Sequence, residues 1–153
     1  MQELQLPKYS FRIKKINNGY QIFDEFRKKY VKLTPEEWVR QNFLRFLVEE
    51  KGFPKEVISV ETELKVNEMK KRCDAIVYNK EGQPFIIIEF KAPNVPINQH
   101  VFDQAAVYNT QLNVDYFIMS NGLQHISCRV NKADASYDFF EQIPTYKELF
   151  EKL

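Results

Sequence analysis

The sequence predicts an α/β fold, a mixed central sheet of about five strands with helices on both faces. Two β-rich segments, 72–78 and 84–92, are separated by a short polar turn and predict a central antiparallel hairpin. Segments 35–51 and 98–112 have the apolar periodicity of amphipathic helices. Because one helix precedes the hairpin and the other follows it, we expect them on opposite faces of the sheet.

The composition indicates one globular domain. The chain has 153 residues, 44% hydrophobic and 28% charged, enough for a core without disulfides. Its net charge of +1 gives no overall attraction for phosphate, so a nucleic-acid partner requires a local basic cluster or another subunit. No apolar run has the length of a bilayer span and no signal peptide is recognisable, so we expect a cytoplasmic protein with no membrane contact. Cys73 and Cys128 are expected as buried free thiols.

The predicted domain has three segments. Residues 1–32 form an N-terminal β-hairpin extension, residues 33–130 form the core, and residues 131–153 form a C-terminal cover with a short final helix from Thr145. The basic run 27–29 in the first segment is either a solvated surface or a phosphate contact.

The first helix has a strong start signal, and its two glutamates are expected to differ in role. Thr34 is the predicted N-cap, Pro35 takes the first helical position, and Glu37 completes a capping box. On a helical wheel, Glu36 falls within about 20° of the centre of the apolar stripe, whereas Glu37 lies roughly 120° away. We therefore expect Glu36 to point towards the core, with an ion pair to Arg40 as its structural alternative.

The central hairpin carries charged side chains into an apolar strand. With a loop of about four residues, Asn79 faces Pro84 and Asp74 faces Glu89. Because side chains alternate between faces, Asp74, Glu89 and Lys91 share one face. Charges there are costly unless they pair or bind a metal ion. Either Lys91 pairs with both acids, or the acids bind a divalent cation such as Mg²⁺ while Lys91 faces the substrate or an attacking water.

The strand before this hairpin is predicted over 57–66. Strict alternation places Ile58 and Val66 on one face and Glu61 on the other, towards solvent or the domain edge. Arg72 is expected on the same face as Asp74, where its guanidinium binds either a carboxylate or a phosphate.

The second half of the core contains another helix and another hairpin. Segments 114–119 and 123–130 predict the hairpin. The predicted buried side of the helix consists of Val101, Ala105, Tyr108 and Leu112. On physical grounds alone, Gln104 is predicted to be a surface amide of that helix. We expect no zinc ligand role for His100 or His125, because neither has a second histidine nearby in sequence.

Several of these segments resemble a nuclease family. Asp74, followed fifteen residues later by Glu89-Phe90-Lys91, is similar to the core of the PD-(D/E)xK nuclease superfamily. More narrowly, the chain resembles the nuclease domain at the N-terminus of type I restriction enzyme R subunits. The segments that carry this resemblance are 33–41, 71–74, 88–92 and 104–108. The resemblance extends over residues 22–130. Cys73 stands where the superfamily name has proline, a position that supplies no ligand.

The resemblance implies a restriction-endonuclease-like three-layer fold and a set of site residues. Its catalytic residues would be Asp74, Glu89, Lys91, Glu36 and Gln104. Its metal ion, Mg²⁺ with Mn²⁺ as a substitute, would be held by Asp74, Glu89, the backbone carbonyl of Phe90 and Glu36. Its substrate contacts would be Arg72, Tyr108 and Arg40. The family often places a glutamate of its first helix near the metal, and the choice between Glu36 and Glu37 favours Glu36.

The implied activity is metal-dependent hydrolysis of DNA phosphodiester bonds. The alternative is a catalytically silent nuclease-fold module that binds nucleic acid or a protein, or a plain structural domain in which the charges only pair. The sequence has no Gly-rich phosphate loop of the Walker type, so besides DNA either a motor or specificity subunit is the partner or the chain is a stand-alone relative. Double-strand cleavage with one site per chain favours a homodimer.

Overall fold

The computed structural model describes residues 1–150, apart from the side chains of Tyr108 and Thr110. These residues form two sheets and three α-helices. The small sheet consists of β1 (Ile13–Ile16), β2 (Gly19–Asp24) and β3 (Lys29–Lys32). The main sheet consists, in spatial order, of β4 (Ile58–Val66), β5 (Met69–Tyr78), β6 (Pro84–Phe90), β7 (Tyr116–Ser120), β8 (His125–Asn131) and β9 (Ser136–Phe139). The helices are α1 (Pro35–Glu49), α2 (Gln99–Thr110) and α3 (Tyr146–Phe150), and a 3-10 turn covers Lys55–Val57.

The main sheet is mixed and lies between helices. Strands β6 and β7 are parallel, and the other neighbouring pairs are antiparallel. Helix α2 supplies the crossover that the parallel pair requires. On one face, Phe43 of α1 shares a core with Ile86 and Ile88, and on the other, Phe102 of α2 shares a core with Ile87. The predicted α/β fold with a helix on each face is therefore confirmed.

The two ends of the chain add strands that the sequence analysis did not predict. At the N-terminal end, the basic run 27–29 forms a turn and the start of β3, so the extension has three strands and not two. The carboxylate of Asp24 shapes this turn by accepting hydrogen bonds from the backbone N–H of Phe26 and Arg27. At the other end, β9 becomes a sixth strand of the main sheet. The last three residues of the predicted 131–153 cover lie outside the described residues.

Helix α1 begins as the sequence predicts. The side chain of Thr34 accepts a hydrogen bond of 3.0 Å from the backbone N–H of Glu37. The second half of the predicted capping box is wrong, because the Glu37 carboxylate binds Arg27, Arg40 and Gln41 instead of the cap. The helix ends at Glu49, two residues before the predicted end.

Helix α2 is shorter than predicted and rotated about its axis. It covers Gln99–Thr110, and Phe102 and Ala106 are its buried apolar residues. Val101 and Ala105, which were predicted to mark the buried side, are only partly buried. This rotation leaves Gln104 exposed at the surface of the helix.

Strands β4 and β5 bend together and exchange faces halfway along their length. Val60 and its partner Ala75 pack in the core beside α1, whereas Leu64 and Cys73 pack on the α2 side. At the bend, Glu61 has a φ of 51°, in the left-handed region that few non-glycine residues adopt. The prediction of strict alternation along β4 is therefore wrong, because an irregular residue interrupts the pleat.

The structure also bears on the two cysteines and on the lengths of the helices. Cys73 and Cys128 are both buried and free, as predicted. Burial raises the pKa of Cys73 to about 11 and that of Cys128 to about 12, so both thiols stay neutral. Among the helices formed by residues 1–150, none combines the length and the apolar content needed to span a bilayer.

Candidate active site

A cleft of about 310 Å³ lies between the end of β6, strand β5 and helix α2. It is lined by Lys71, Glu89, Lys91, Val95, Val101, Gln104 and Ala105. Three of the predicted site residues, Glu89, Lys91 and Gln104, therefore share one solvent-reachable surface although the last comes from a different element. The tertiary fold brings together an acid, an ammonium and an amide.

Strand β6 sets the direction of Glu89 and Lys91. Ile87 packs in the core on the α2 side, and Glu89, two residues later, continues on that face. The backbone N–H of Lys91 donates 2.9 Å to the carbonyl of Ser120 in β7, so the chain stays tied to β7 just beyond the end of β6. Lys91 consequently lines the same cleft as Glu89, as the strand alternation predicts.

Asp74 lies where the sequence analysis places it. Ala75 pairs with Ile88, and continuing this register by one residue sets Asp74 opposite Glu89. One carboxylate oxygen of Asp74 accepts a 2.7 Å hydrogen bond from the backbone N–H of Phe90, which fixes the acid against β6.

The turn end of the same hairpin differs from the prediction. Pro84 pairs with Tyr78 and not with Asn79, because the register shifts between Val77 and Tyr78. Asn79 instead closes the turn, where its side-chain oxygen accepts hydrogen bonds from the backbone N–H of Glu81 and Gln83. The bulge absorbs the difference in loop length and leaves the register at the site end unchanged.

The electrostatics of Asp74 indicate a crowded acidic position. Burial raises the pKa of Asp74 to about 6, and the hydrogen bond from Phe90 opposes that rise. The negative charges of Glu89 and Glu36 raise the pKa further, while Arg40 lowers it. Carboxylates from α1 and β6 therefore act on Asp74, and the positive charge of Arg40 does not cancel the rise in its pKa.

The two glutamates of α1 are exposed in the opposite way to the prediction. Glu36 is exposed and Glu37 is only 5% exposed. The helical wheel is misleading in the first turn because contacts of Glu37 with Arg27, Arg40 and Gln41, and not packing on the apolar core, decide which glutamate is buried. Glu36 nevertheless lies close enough to Asp74 to raise the pKa of that acid. The ion pair with Arg40, which was the structural alternative for Glu36, is made by Glu37 instead.

A chain of ion pairs runs behind the site. Arg40, 6% exposed, binds the carboxylates of Glu37 and Glu61, and Glu61 also accepts a 2.8 Å hydrogen bond from Arg72. Although burial lowers the pKa of Arg40, these two carboxylates raise it above its usual value. Arg40 and Arg72 are thus engaged by protein carboxylates, and their predicted contacts with substrate stay predictions.

Lys71 is the residue that the sequence analysis missed. Its ammonium binds the carboxylate of Glu89 and also lies 3.2 Å from the side-chain oxygen of Asn109 in α2. Simple alternation from Asp74 places Lys71 on the other face of the sheet, but the bend in β5 turns it into the cleft. An ion pair of Lys91 with the acids was one of the two alternatives from the sequence, and in the structure the ion pair to Glu89 is made by Lys71.

The oxygen atoms at this site are of the kind that a hard divalent cation prefers, but their present spacing does not suit one. Asp74, Glu89 and Glu36 offer carboxylate oxygens, and the backbone carbonyl of Phe90 adds a neutral oxygen. Within residues 1–150, however, the structure contains no group of three His, Cys, Asp or Glu side chains already spaced to hold a metal ion. Lys71 occupies Glu89, so binding of a cation requires a rearrangement there.

The remaining predicted residues are placed as follows. Gln104 is exposed on α2 and lines the cleft. Tyr108 lies one turn along α2, but its side chain is outside the described residues. His125 is packed 5.4 Å from Phe43, ring centre to ring centre, and His100 is exposed at the start of α2.

Comparison with known proteins gives one family and one fold. A family model described as the N terminus of type I restriction enzyme R proteins (HSDR_N) matches residues 35–144. A solved fragment assigned as an HsdR subunit of a type I restriction enzyme from Vibrio vulnificus YJ016 is similar, with a TM-score of 0.54 and 21% sequence identity. The match covers 78% of this chain but only 25% of that chain. At this identity the likeness shows a shared fold. No curated protein sequence matches significantly.

Proposed function

The chain belongs to the family of type I restriction enzyme R protein N-terminal domains, and on this premise we propose that it is a metal-dependent DNA endonuclease of the PD-(D/E)xK type. One observation carries the proposal: Glu89, Lys91 and Gln104 line a single cleft, and Asp74 on the adjacent strand interacts electrostatically with Glu89 and Glu36. A glutamate, a lysine and an amide on one solvent-reachable cleft, with a second acid on the adjacent strand, suit phosphodiester hydrolysis.

The acids have the role of holding the cation. Asp74, Glu89 and the carbonyl of Phe90 would hold Mg²⁺ or Mn²⁺, with Glu36 completing the negative field from α1. The cation, when bound, supplies positive charge that acidifies water and offsets charge on the scissile phosphate. Burial, together with the negative charges of Glu89 and Glu36, raises the pKa of Asp74, and a cation bound beside this carboxylate would stabilise its ionised form.

The other residues act on the nucleophile and the substrate. Lys91 orients or deprotonates the attacking water, or stabilises negative charge on the phosphorus oxygens. Gln104 holds the nucleophile or a phosphate oxygen from the α2 side of the cleft. Tyr108, Arg72 and Arg40 remain proposed substrate contacts. For the two arginines, contact with phosphate would compete with Glu61, which both of them bind in the structure.

The test is a nuclease assay on supercoiled and linear DNA with Mg²⁺ or Mn²⁺. Lys91→Ala should reduce the cleavage rate by about 100-fold or more, since a positioned acid–base group contributes on that order. Lys80→Ala is the matched control, because Lys80 is exposed in the β5–β6 turn and its loss removes the same charge. Circular dichroism and melting temperature should be unchanged in both variants. Undiminished cleavage by Lys91→Ala would reject the assignment.

A second candidate function is supported by the ion pair between Lys71 and Glu89. A module that binds nucleic acid or a protein without cutting could retain this pair as a structural contact. In that case DNA binding would be the same with and without Mg²⁺ and would be indifferent to Asp74→Ala. Cleavage that depends on both would exclude the silent module.

The proposed partners follow from the family. A domain of this kind acts in an R subunit, so we propose DNA, a motor region and a specificity subunit as its partners, in the cytoplasm. A homodimer is the proposed state for double-strand cleavage. Sedimentation with and without DNA tests the dimer directly.

A further inference from the structure

The strongest unassigned feature of the site is Lys71, a second lysine in the cleft. Its side chain is 17% exposed and that of its partner Glu89 is 13% exposed, so the pair is shielded from most solvent. A charge-assisted hydrogen bond in such surroundings is stronger than one at an open surface. Lys71 therefore holds Glu89 firmly in the structure.

Asn109 orients the ammonium from the other side. This amide is 1% exposed, and its nitrogen donates 2.8 Å to the carbonyl of Ala105 one turn earlier in α2. Because the nitrogen is committed to Ala105, the amide oxygen is the group turned towards Lys71. The ammonium thus lies between β6 and α2, with a second acceptor besides Glu89.

The position of this ammonium matters for any cation that the acids bind. The ammonium of Lys71 binds one of the two carboxylate oxygens of Glu89 and offsets its charge, and a divalent ion held by Glu89 would lie close to it. Because two positive charges on one carboxylate repel each other, the ammonium at contact distance weakens binding of the ion.

We propose that Lys71 is a positioning residue that holds Glu89 when no metal is bound and competes with the divalent cation for its carboxylate. This inference rests on the proposed function. On metal binding, the ammonium leaves Glu89 and keeps its contact with Asn109, which retains it in the cleft. The exchange replaces one cation with another and keeps Glu89 paired in both states.

The experiment measures Mn²⁺ affinity by calorimetry and by the free Mn²⁺ electron paramagnetic resonance signal, without DNA and without turnover. Lys71→Met keeps the length of the side chain and removes its charge, and it should bind Mn²⁺ about tenfold more tightly, as expected for loss of a charge-assisted contact. Lys71→Arg should stay close to the wild type, because a guanidinium also holds a carboxylate. Lys65→Met is the control for charge alone, since Lys65 is exposed on the same hairpin.

A second readout tests the contact itself. Without metal, Lys71→Met should melt at a lower temperature than Lys65→Met because Glu89 loses its partner, and Mn²⁺ should restore most of the difference. If the wild type binds Mn²⁺ and Lys71→Met binds it equally or more weakly, the competition is overturned while the proposed metal site stands. If Glu89→Gln leaves Mn²⁺ binding unchanged, or if no variant binds Mn²⁺, the metal site itself fails and the inference fails with it.

Discussion

At the scale of single residues, the ionised form of Asp74 is unfavourable for stability, although the proposed chemistry requires it. Asp74 is buried enough for its pKa to rise to about 6, and Glu89 and Glu36 add to that rise. Ionised Asp74 therefore costs free energy at neutral pH in the metal-free protein. This is the cost that the proposed cation would relieve.

Replacing Asp74 should therefore stabilise the metal-free protein. Asp74→Asn keeps an oxygen that can accept the hydrogen bond from Phe90 and removes the charge, so at pH 7.5 we expect a gain of about 1–2 kcal/mol in the free energy of unfolding. Urea denaturation measures it. Asp103→Asn, at an exposed position on α2, is the control and should change little. Destabilisation by Asp74→Asn would mean that the acid is already compensated within the protein.

Individual elements decide which charged side chains meet. The first turn of α1 separates two adjacent glutamates by function: Glu36 is exposed beside Asp74, whereas Glu37 is buried among Arg27, Arg40 and Gln41. Strand β5 has a comparable effect. Its bend moves side chains from one face of the sheet to the other and so turns Lys71 towards Glu89.

The two glutamates should respond differently to removal. Glu37→Ala leaves Arg40 buried with half of its partners and should cost about 3 kcal/mol of stability, since breaking a buried ion pair exposes the full desolvation cost of the remaining charge. Glu36→Ala should cost less than about 0.5 kcal/mol, as is usual for an exposed site. Chemical denaturation compares them. Equal effects would show that the ion-pair network behind the site contributes no more than the exposed residue.

At the scale of the whole molecule, distant segments are joined around His125. The ring nitrogen Nε2 lies 2.9 Å from the carbonyl of Gln5 and therefore donates to it, which leaves Nδ1 to accept from the hydroxyl of Ser120 at 2.7 Å. Burial lowers the pKa of His125, although the bond to Gln5 opposes this. The neutral ring thus ties the N-terminal segment to β7 and β8.

This arrangement predicts a pH dependence of stability. Because the folded pKa of His125 lies below the unfolded value of about 6.5, the unfolded chain takes up the proton first as the pH falls. The stabilisation is complete above pH 6.5 and is lost progressively below it. Protonation of Asp74 acts in the opposite direction over part of this range, so the test is a comparison of variants. Between pH 7.5 and 5.5, His125→Gln should lose less unfolding free energy than the wild type, or gain more, whereas His100→Gln, at an exposed position, should follow the wild type. An unaltered slope in His125→Gln would contradict the prediction.

Local patterns were sufficient for much of the fold and for part of the site. The helix start at Thr34, the central hairpin and the shared face of Glu89 and Lys91 depend on neighbours close in sequence, so periodicity and turn chemistry predict them. The edge strand β9 was missed because it has only four residues and is mostly exposed, so the alternation of Tyr137 and Phe139 is too short to predict a strand.

The sequence by itself determined the α/β class, the order of the core elements from α1 to β8 and the hairpin that sets Asp74 opposite Glu89. Only the tertiary structure decided that Lys71 pairs with Glu89 and that Glu37, not Glu36, is buried. The physical reason is that a charge is stabilised by partners from other elements, here α1, α2 and the bent β5, and no local pattern specifies those partners.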